Sequence, residues 1–126
     1  MNKILTYRKF ASQIYKSKKN FIKNLNKIYK KKGKLIFFGA PAKASTVLNY
    51  YGISKQIKFI VEDNPLKQNK FLPGVNIPIH SKDKVKTKSD LIVVLAWNFF
   101  KEIKKNNKSI SKKFVSIKDL EKTNFV

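Results

Sequence analysis

Three short segments carry residue types suited to holding a ligand. The first is Gly39-Ala40-Pro41-Ala42-Lys43, followed closely by Ser45 and Thr46. An apolar run precedes it and a helix-like pattern follows. At such a helix start, free backbone N–H groups and the helix dipole favour an anion. Gly39 allows close backbone approach, and Lys43, Ser45 and Thr46 add donors. No Gly-Lys-[Ser/Thr] is present, so this is not a P-loop. One glycine stands where the dinucleotide fingerprint has three. A phosphate site and a tight structural turn therefore both remain open. The second segment is Glu62-Asp63-Asn64-Pro65. Asp63 lies 24 residues after Gly39, near where dinucleotide-binding domains place a ribose-binding carboxylate. Its alternatives are a solvated turn carboxylate or an Asx turn. The third is Trp97-Asn98, where Trp97 either stacks on a ring or caps the core.

Other chemistry is thinly represented. His80 is the sole histidine and has no cluster of metal-ligating neighbours, so it reads as a surface or packed residue. No Gly-x-Ser-x-Gly elbow and no paired catalytic carboxylates stand out. Cysteine is absent, which removes disulfides, thiolate zinc sites and cysteine nucleophiles. No residue is assigned a catalytic role.

The elements that must position these segments follow from periodicity. Phe10, Ile14, Phe21, Ile22, Leu25, Ile28 and Tyr29 recur at helical spacing and predict a helical lead-in over residues 1–33, stopped by Gly33. Its apolar face is expected to cover a sheet, with a basic amphipathic membrane or partner helix as the minority reading. Lys16 to Asn20 interrupts the stripe and leaves one long helix or two short ones open. Leu35–Phe38 reads as a buried strand, then a helix runs from Ala42 to Gly52. Lys58–Val61 is a second strand. A long loop turns at Leu72-Pro73-Gly74. Asn76–Ile79 is extended, and its proline suits an edge or short strand. Leu91–Leu95 is the clearest strand, and Asn98 is placed to cap a helix through Ile103. Lys113–Ile117 is the last strand. Fully apolar strands alternating with helices predict a Rossmann-like three-layer α/β/α fold with a mostly parallel sheet, preceded by an N-terminal helix. One domain is expected over 1–126, with its core in 34–117. In such sheets ligands bind beyond the carboxyl ends of the strands, and all three segments fall there.

Net charge is +22, which by itself points to nucleic acid or an anionic membrane. Arg8, however, is the sole arginine among 29 basic residues, and the lysines run from Lys3 to Lys122. Base and bidentate phosphate recognition favour arginine's planar fork. The charge thus reads mainly as a solvated surface, with no specific nucleic-acid partner. No apolar stretch approaches the roughly 18 residues of a membrane helix. No signal peptide is evident, so a cytoplasmic protein is expected.

Five blocks in order resemble one family. Gly39-Ala-Pro-Ala-Lys43 with Leu48-Asn-Tyr50 and Gly52-Ile53 open the resemblance. Asp63-Asn-Pro65 with Lys67-Gln68, then Leu72-Pro-Gly74 and Ile77-Pro-Ile79, continue it. Leu95-Ala-Trp-Asn98 with Glu102-Ile103 closes it. Together they are similar to the C-terminal domain of S-adenosylmethionine-dependent C-methyltransferases acting on nucleotide-linked deoxysugars. The resemblance implies a Rossmann-like unit that helps complete a nucleotide-diphosphate-sugar site. It implies binding roles for Gly39 to Lys43, Asp63, Lys67 and the Trp97-Asn98 pair, and Ser45, Thr46 and Asn64 join them as candidates from the segment readings above. Full-length members also carry a cysteine-rich zinc-binding part and a donor-binding methyltransferase domain. This chain shows no cysteine and no donor motif of that class. No cofactor is expected on it, S-adenosylmethionine being held by a partner methyltransferase domain or subunit. The chain is thus related to transferases without being expected to methylate alone. A vestigial or repurposed binding module is the alternative. Two departures bear on the turns. Ala44-Ser45 replaces Gly-Asn, which suits a helix start. Asn69 replaces a glycine, and asparagine tolerates a left-handed backbone best among side chains.

Overall fold

The computed structural model describes residues 3–41, 44–72 and 74–123. Ala42, Lys43 and Pro73 lie outside the described residues, so the readings placed on them are left as they stand.

Among the described residues, four α-helices and six strands follow one another along the chain. They are α1 (Lys3–Lys32), β1 (Leu35–Phe38), α2 (Ala44–Tyr51), β2 (Ile57–Val61), β3 (Lys70–Leu72), β4 (Ile77–His80), β5 (Ile92–Val94), α3 (Phe100–Asn106), β6 (Phe114–Ser116) and α4 (Ile117–Leu120). The sheet order is β3-β4-β2-β1-β5-β6. Every pairing is parallel except β3 with β4. β1 and β5 are buried along their whole length, as strands covered on both faces must be.

Side-chain alternation along the strands builds two cores. Leu35, Phe37, Ile60, Val93 and Val115 face α1, α2 and α4, where Phe21, Leu25, Leu48 and Leu120 meet them. Ile36, Phe38, Phe59, Val61, Ile92 and Val94 face the other way onto Ile110, Phe114 and the partly buried Phe100 and Ile103 of α3. The α/β class with an N-terminal helix is therefore observed. No helix among the described residues is long and apolar enough to cross a membrane.

Local signals fix the element ends. Gly52 adopts φ +67 and closes α2 with two bonds, Gly52 N–H to Asn49 O at 3.1 Å and Ile53 N–H to Leu48 O at 3.2 Å. This is the Schellman pattern, sealed by buried Ile53 against buried Leu48. Asn69 sits at φ +61, the left-handed turn expected of an asparagine in a glycine's place. At α4, Ser116 and Asp119 form a capping box, with Asp119 N–H to Ser116 Oγ at 3.2 Å and Ser116 N–H to Asp119 Oδ2 at 3.0 Å.

Three expectations need correction. Residues 3–32 form one helix, but Phe10 and Ile14 are not part of the core; they are 60% and 41% exposed. The helix outruns the sheet, so only its second half has a surface to cover. Asn98 does not cap α3. It lies inside a 3-10 turn, Trp97–Phe99, and the helix starts at Phe100 without any side-chain cap. The loop after Pro65 contains strand β3, too short and polar to show alternation. Of the two readings of the proline-marked segment, the short strand holds: β4 has four residues and lies second from the edge, because β3 covers it.

α4 is tied to the helical layer through a half-buried carboxylate. The Tyr51 hydroxyl donates to Glu121 Oε1. Burial, that bond and the neighbouring charge of Glu121 all push the Tyr51 phenol well above its ordinary pKa. A raised value means the folded state holds the proton more tightly. This contribution is full below about pH 10 and is lost as pH climbs through the folded value. We predict that Tyr51→Phe costs about 1.5 kcal/mol at neutral pH and flattens the alkaline limb of stability, read by urea melts across pH. Ser116→Ala should cost about 1 kcal/mol at neutral pH.

Candidate functional site

β1 lies at the centre of the sheet, with β2 on one side and β5 on the other. The chain leaves β1 toward β2 and later returns to β5. The carboxyl ends of β1 and β5 therefore flank the topological switch point, where ligands of open α/β sheets bind.

The loop after β1 is pinned on three sides. Gly39 N–H donates to Val61 O at 2.7 Å. Ala40 N–H donates to Glu62 Oε1 at 3.0 Å, and Ala40 O accepts from Lys67 Nζ at 2.7 Å. Toward β5, Gly39 passes so near Ala96 that a Cβ on it would meet Ala96 Cβ at 2.9 Å. Its φ of +91 is likewise a glycine conformation. Pro41 is half-buried, and Ala44 is buried with its N–H on Pro41 O at 2.9 Å. Ser45 is half-buried and Thr46 exposed in the first turn of α2.

The loop after β2 is organised by Glu62. Its second oxygen accepts from Asn64 N–H at 3.0 Å, and its backbone oxygen accepts from Gln68 Nε2 at 2.6 Å. Asn64 Oδ1 accepts from Leu66 N–H at 3.0 Å, so the Asx turn is centred on Asn64. Asp63 is exposed and points to no described partner. The carboxylate that reaches the β1 loop is thus Glu62. Strand alternation carries the signal: Ile60 faces the α2 side, so residue 62 does too, and residue 63 does not.

The third loop follows β5. Trp97 does not cap the core; it is 48% exposed, with Lys118 Nζ 5.1 Å above its ring. Trp97, Asn98, Lys101, Glu102, Ser116 and Lys118 line an open cavity of about 560 Å³. Lys118 was hidden in the sequence because it lies in the tail after the last strand. His80, at the end of β4, packs edge-on to Phe59 at 5.3 Å, and its backbone oxygen accepts from Glu62 N–H at 2.9 Å. It is a packed residue of the same edge. No group of three or more His, Asp or Glu among the described residues could hold a metal.

A second cavity, of about 450 Å³, lies at the opposite edge between Lys27, Lys31, Lys32, Asp90 and Lys113. There Lys32 and Lys112 approach Asp90 at 3.4 and 3.5 Å, and Lys32 foremost lowers the Asp90 pKa. None of the three convergent loops reaches it.

The chemistry available at the carboxyl edge is recognition. Glu62 and Lys67 meet at the β1 loop, and after β5 a half-exposed indole with a cation above it lines an open cavity. Ala40 N–H is already engaged by Glu62, which makes that point better suited to hydroxyls than to a phosphate. We predict that Gly39→Ala costs about 2–4 kcal/mol, from positive φ and from the clash with Ala96. Adding Ala96→Gly should recover only the steric share in denaturant melts.

A sequence profile describing a C-methyltransferase C-terminal domain matches residues 1–117. C-methyltransferase NovU from Streptomyces niveus is 41% identical over 73 residues. That stretch takes in 56% of this chain and 17% of NovU, so the chain spans a small part of this relative's length. With nearly its whole length matched and an α/β fold to go with it, this chain belongs to the C-methyltransferase C-terminal domain family.

Proposed function

We propose that this chain binds a nucleotide-diphosphate sugar at the carboxyl edge of its sheet and works with a separate methyltransferase domain or subunit. The observation that carries the reading is the meeting of three loops at the switch point, through Ala40, Glu62, Lys67 and the Gly39–Ala96 contact. Glu62 offers carboxylate oxygens to sugar hydroxyls, supported by its position at the end of β2. Trp97 offers a face to a base or sugar ring. Lys118 and Lys101 flank it as cations for a diphosphate. Gly39, Pro41, Ser45, Thr46, Asn64, Lys67 and Asn98 frame the proposed site, and Ala42 and Lys43 stand between Pro41 and Ala44 in the sequence. Asp63 is a lesser candidate than Glu62 because it faces away from that loop.

The methyl donor is proposed to sit on the partner. A donor pocket needs a loop of open amides, and the described part of this one has a proline and an amide already taken by Glu62. S-adenosylmethionine, held elsewhere, would supply the electrophilic methyl group. The residues here hold and orient the sugar nucleotide. We place the protein in the cytoplasm, without a membrane or specific nucleic-acid partner.

Trp97 is the sole tryptophan, so its fluorescence reports on the crevice directly. Titration with thymidine diphosphate and its linked deoxysugars in low salt should give a saturable change with Kd between about 1 μM and 1 mM. Glu62→Gln should weaken the sugar nucleotide by roughly tenfold. No fluorescence change and no rise in Tm at millimolar ligand would overturn the binding reading. Methyl transfer by the isolated chain with S-adenosylmethionine would overturn the need for a partner.

A further inference from the structure

α1 leaves half of its apolar stripe unused. The helix ends three residues before β1, so it runs antiparallel to that strand. Lys32 pairs with Asp90 at the start of β5, on the amino edge. Asn20 and Asn24 donate to Glu121 O and Leu120 O at 3.2 and 2.8 Å, beside α4 at the carboxyl edge. Gln13 to Asn20 still border Tyr50, Tyr51 and Glu121, and the residues before Gln13 project past the domain, by about 15 Å at 1.5 Å per residue.

Phe21, Leu25 and Ile28 face the domain. Stepping back by heptad spacing, the same face carries Ile14, Ala11 and Tyr7, with Phe10 alongside. Tyr7 is 72% and Phe10 60% exposed, and Ile14 is partly covered where it meets the groove below. Arg8, Lys9, Lys16 and Lys19 turn to the other face. The stripe thus looks into a notch beside the domain. At its base lies a groove of about 370 Å³ lined by Gln13, Ile14, Lys18, Tyr50, Lys118 and Glu121. Lys18 is drawn aside onto the Tyr50 ring, 4.7 Å away.

We infer that a second copy of this chain fills the notch, its α1 lying antiparallel along the first. The stripe is complementary to itself. Its positions 4, 7, 11 and 14 are spaced by three, four and three residues, which reads the same in both directions. A two-fold axis at the centre sets Tyr7 opposite Ala11 of the second copy, large against small, and does so twice. Aromatic and aliphatic side chains of this size would bury on the order of 600 Å² per copy, about 1,200 Å² in total, which clears the size of a specific interface. A flat membrane fits poorly, because a plane laid on this face would run into the domain that the same face carries. Lys18 and Lys118 border the groove, while Lys9, Lys16 and Lys19 lie away from the seam, so the +22 charge acts against pairing mainly at long range.

Light scattering and sedimentation equilibrium on the full chain decide this. The mass should rise from 14.7 kDa toward twice that with concentration. The dimer should tighten several-fold on going to ~0.5 M salt, where long-range repulsion is screened. Ile14→Ser should leave a folded monomer with an unchanged Tm. Ala11→Phe should also weaken the dimer, because Tyr7 of the second copy needs that space. Leu5→Ser, on the other face, should leave the dimer intact. A monomer up to about 100 μM at both salts overturns the inference, as does a monomer that sediments with anionic vesicles. A dimer that Ala11→Phe tightens, or that Ile14→Ser leaves alone, also overturns it.

Discussion

At the carboxyl end of the sheet, the backbones after β1 and β5 pass so closely that Gly39 has no room for a side chain beside Ala96. That contact sets the geometry around it. It brings the β1 loop against the β5 loop and turns Ala40 toward Glu62, while Gly39 N–H still closes on Val61 O. A larger residue at 39 would both strain the backbone and wedge the two loops apart. A topological switch point lies here because the chain runs from β1 to β2 on one side and returns to β5 on the other, and one glycine lets the loops after β1 and β5 stay packed.

The centre of the sheet was legible because β1 and β5 are short, wholly apolar runs. Such runs belong to strands buried on both faces. The three loops were legible as a group for the same reason: each directly follows a strand end. What the sequence did not show has a physical cause in each case. Phe10 and Ile14 obey helical periodicity as well as Phe21 and Leu25 do, yet periodicity does not say where the sheet stops. Lys70–Leu72 is a strand only because β4 offers it an edge to pair with. Asn98 has the chemistry of a cap but sits in a 3-10 turn ahead of the helix. Asp63 was favoured over Glu62 on spacing alone, although alternation along β2 already distinguishes them. Lys118 reaches Trp97 through tertiary folding of the tail, which no local pattern encodes.

The large positive charge takes on a more limited meaning in the fold. Lysines are spread over both sheet edges and over α1, and the exposed pairs with Asp90 are of the kind that contributes little stability. Lys67 is different, because it is half-buried and spans to the Ala40 carbonyl. Lys118 is different because it stands over an exposed indole. Dispersed charge would draw phosphorylated ligands toward the molecule, while a few placed cations would hold them at the edge.

The central claim is that one crevice, at the carboxyl ends of β1, β2 and β5, receives the sugar nucleotide. Amide chemical-shift mapping during titration with a thymidine-diphosphate deoxysugar tests it residue by residue. The account predicts saturable shifts gathered on residues 39–46, 62–68 and 96–98 and on Lys118, with the amino edge around Asp90 unmoved. Shifts scattered over the lysine-bearing surface, or centred on the Lys27–Asp90 cavity, would contradict it.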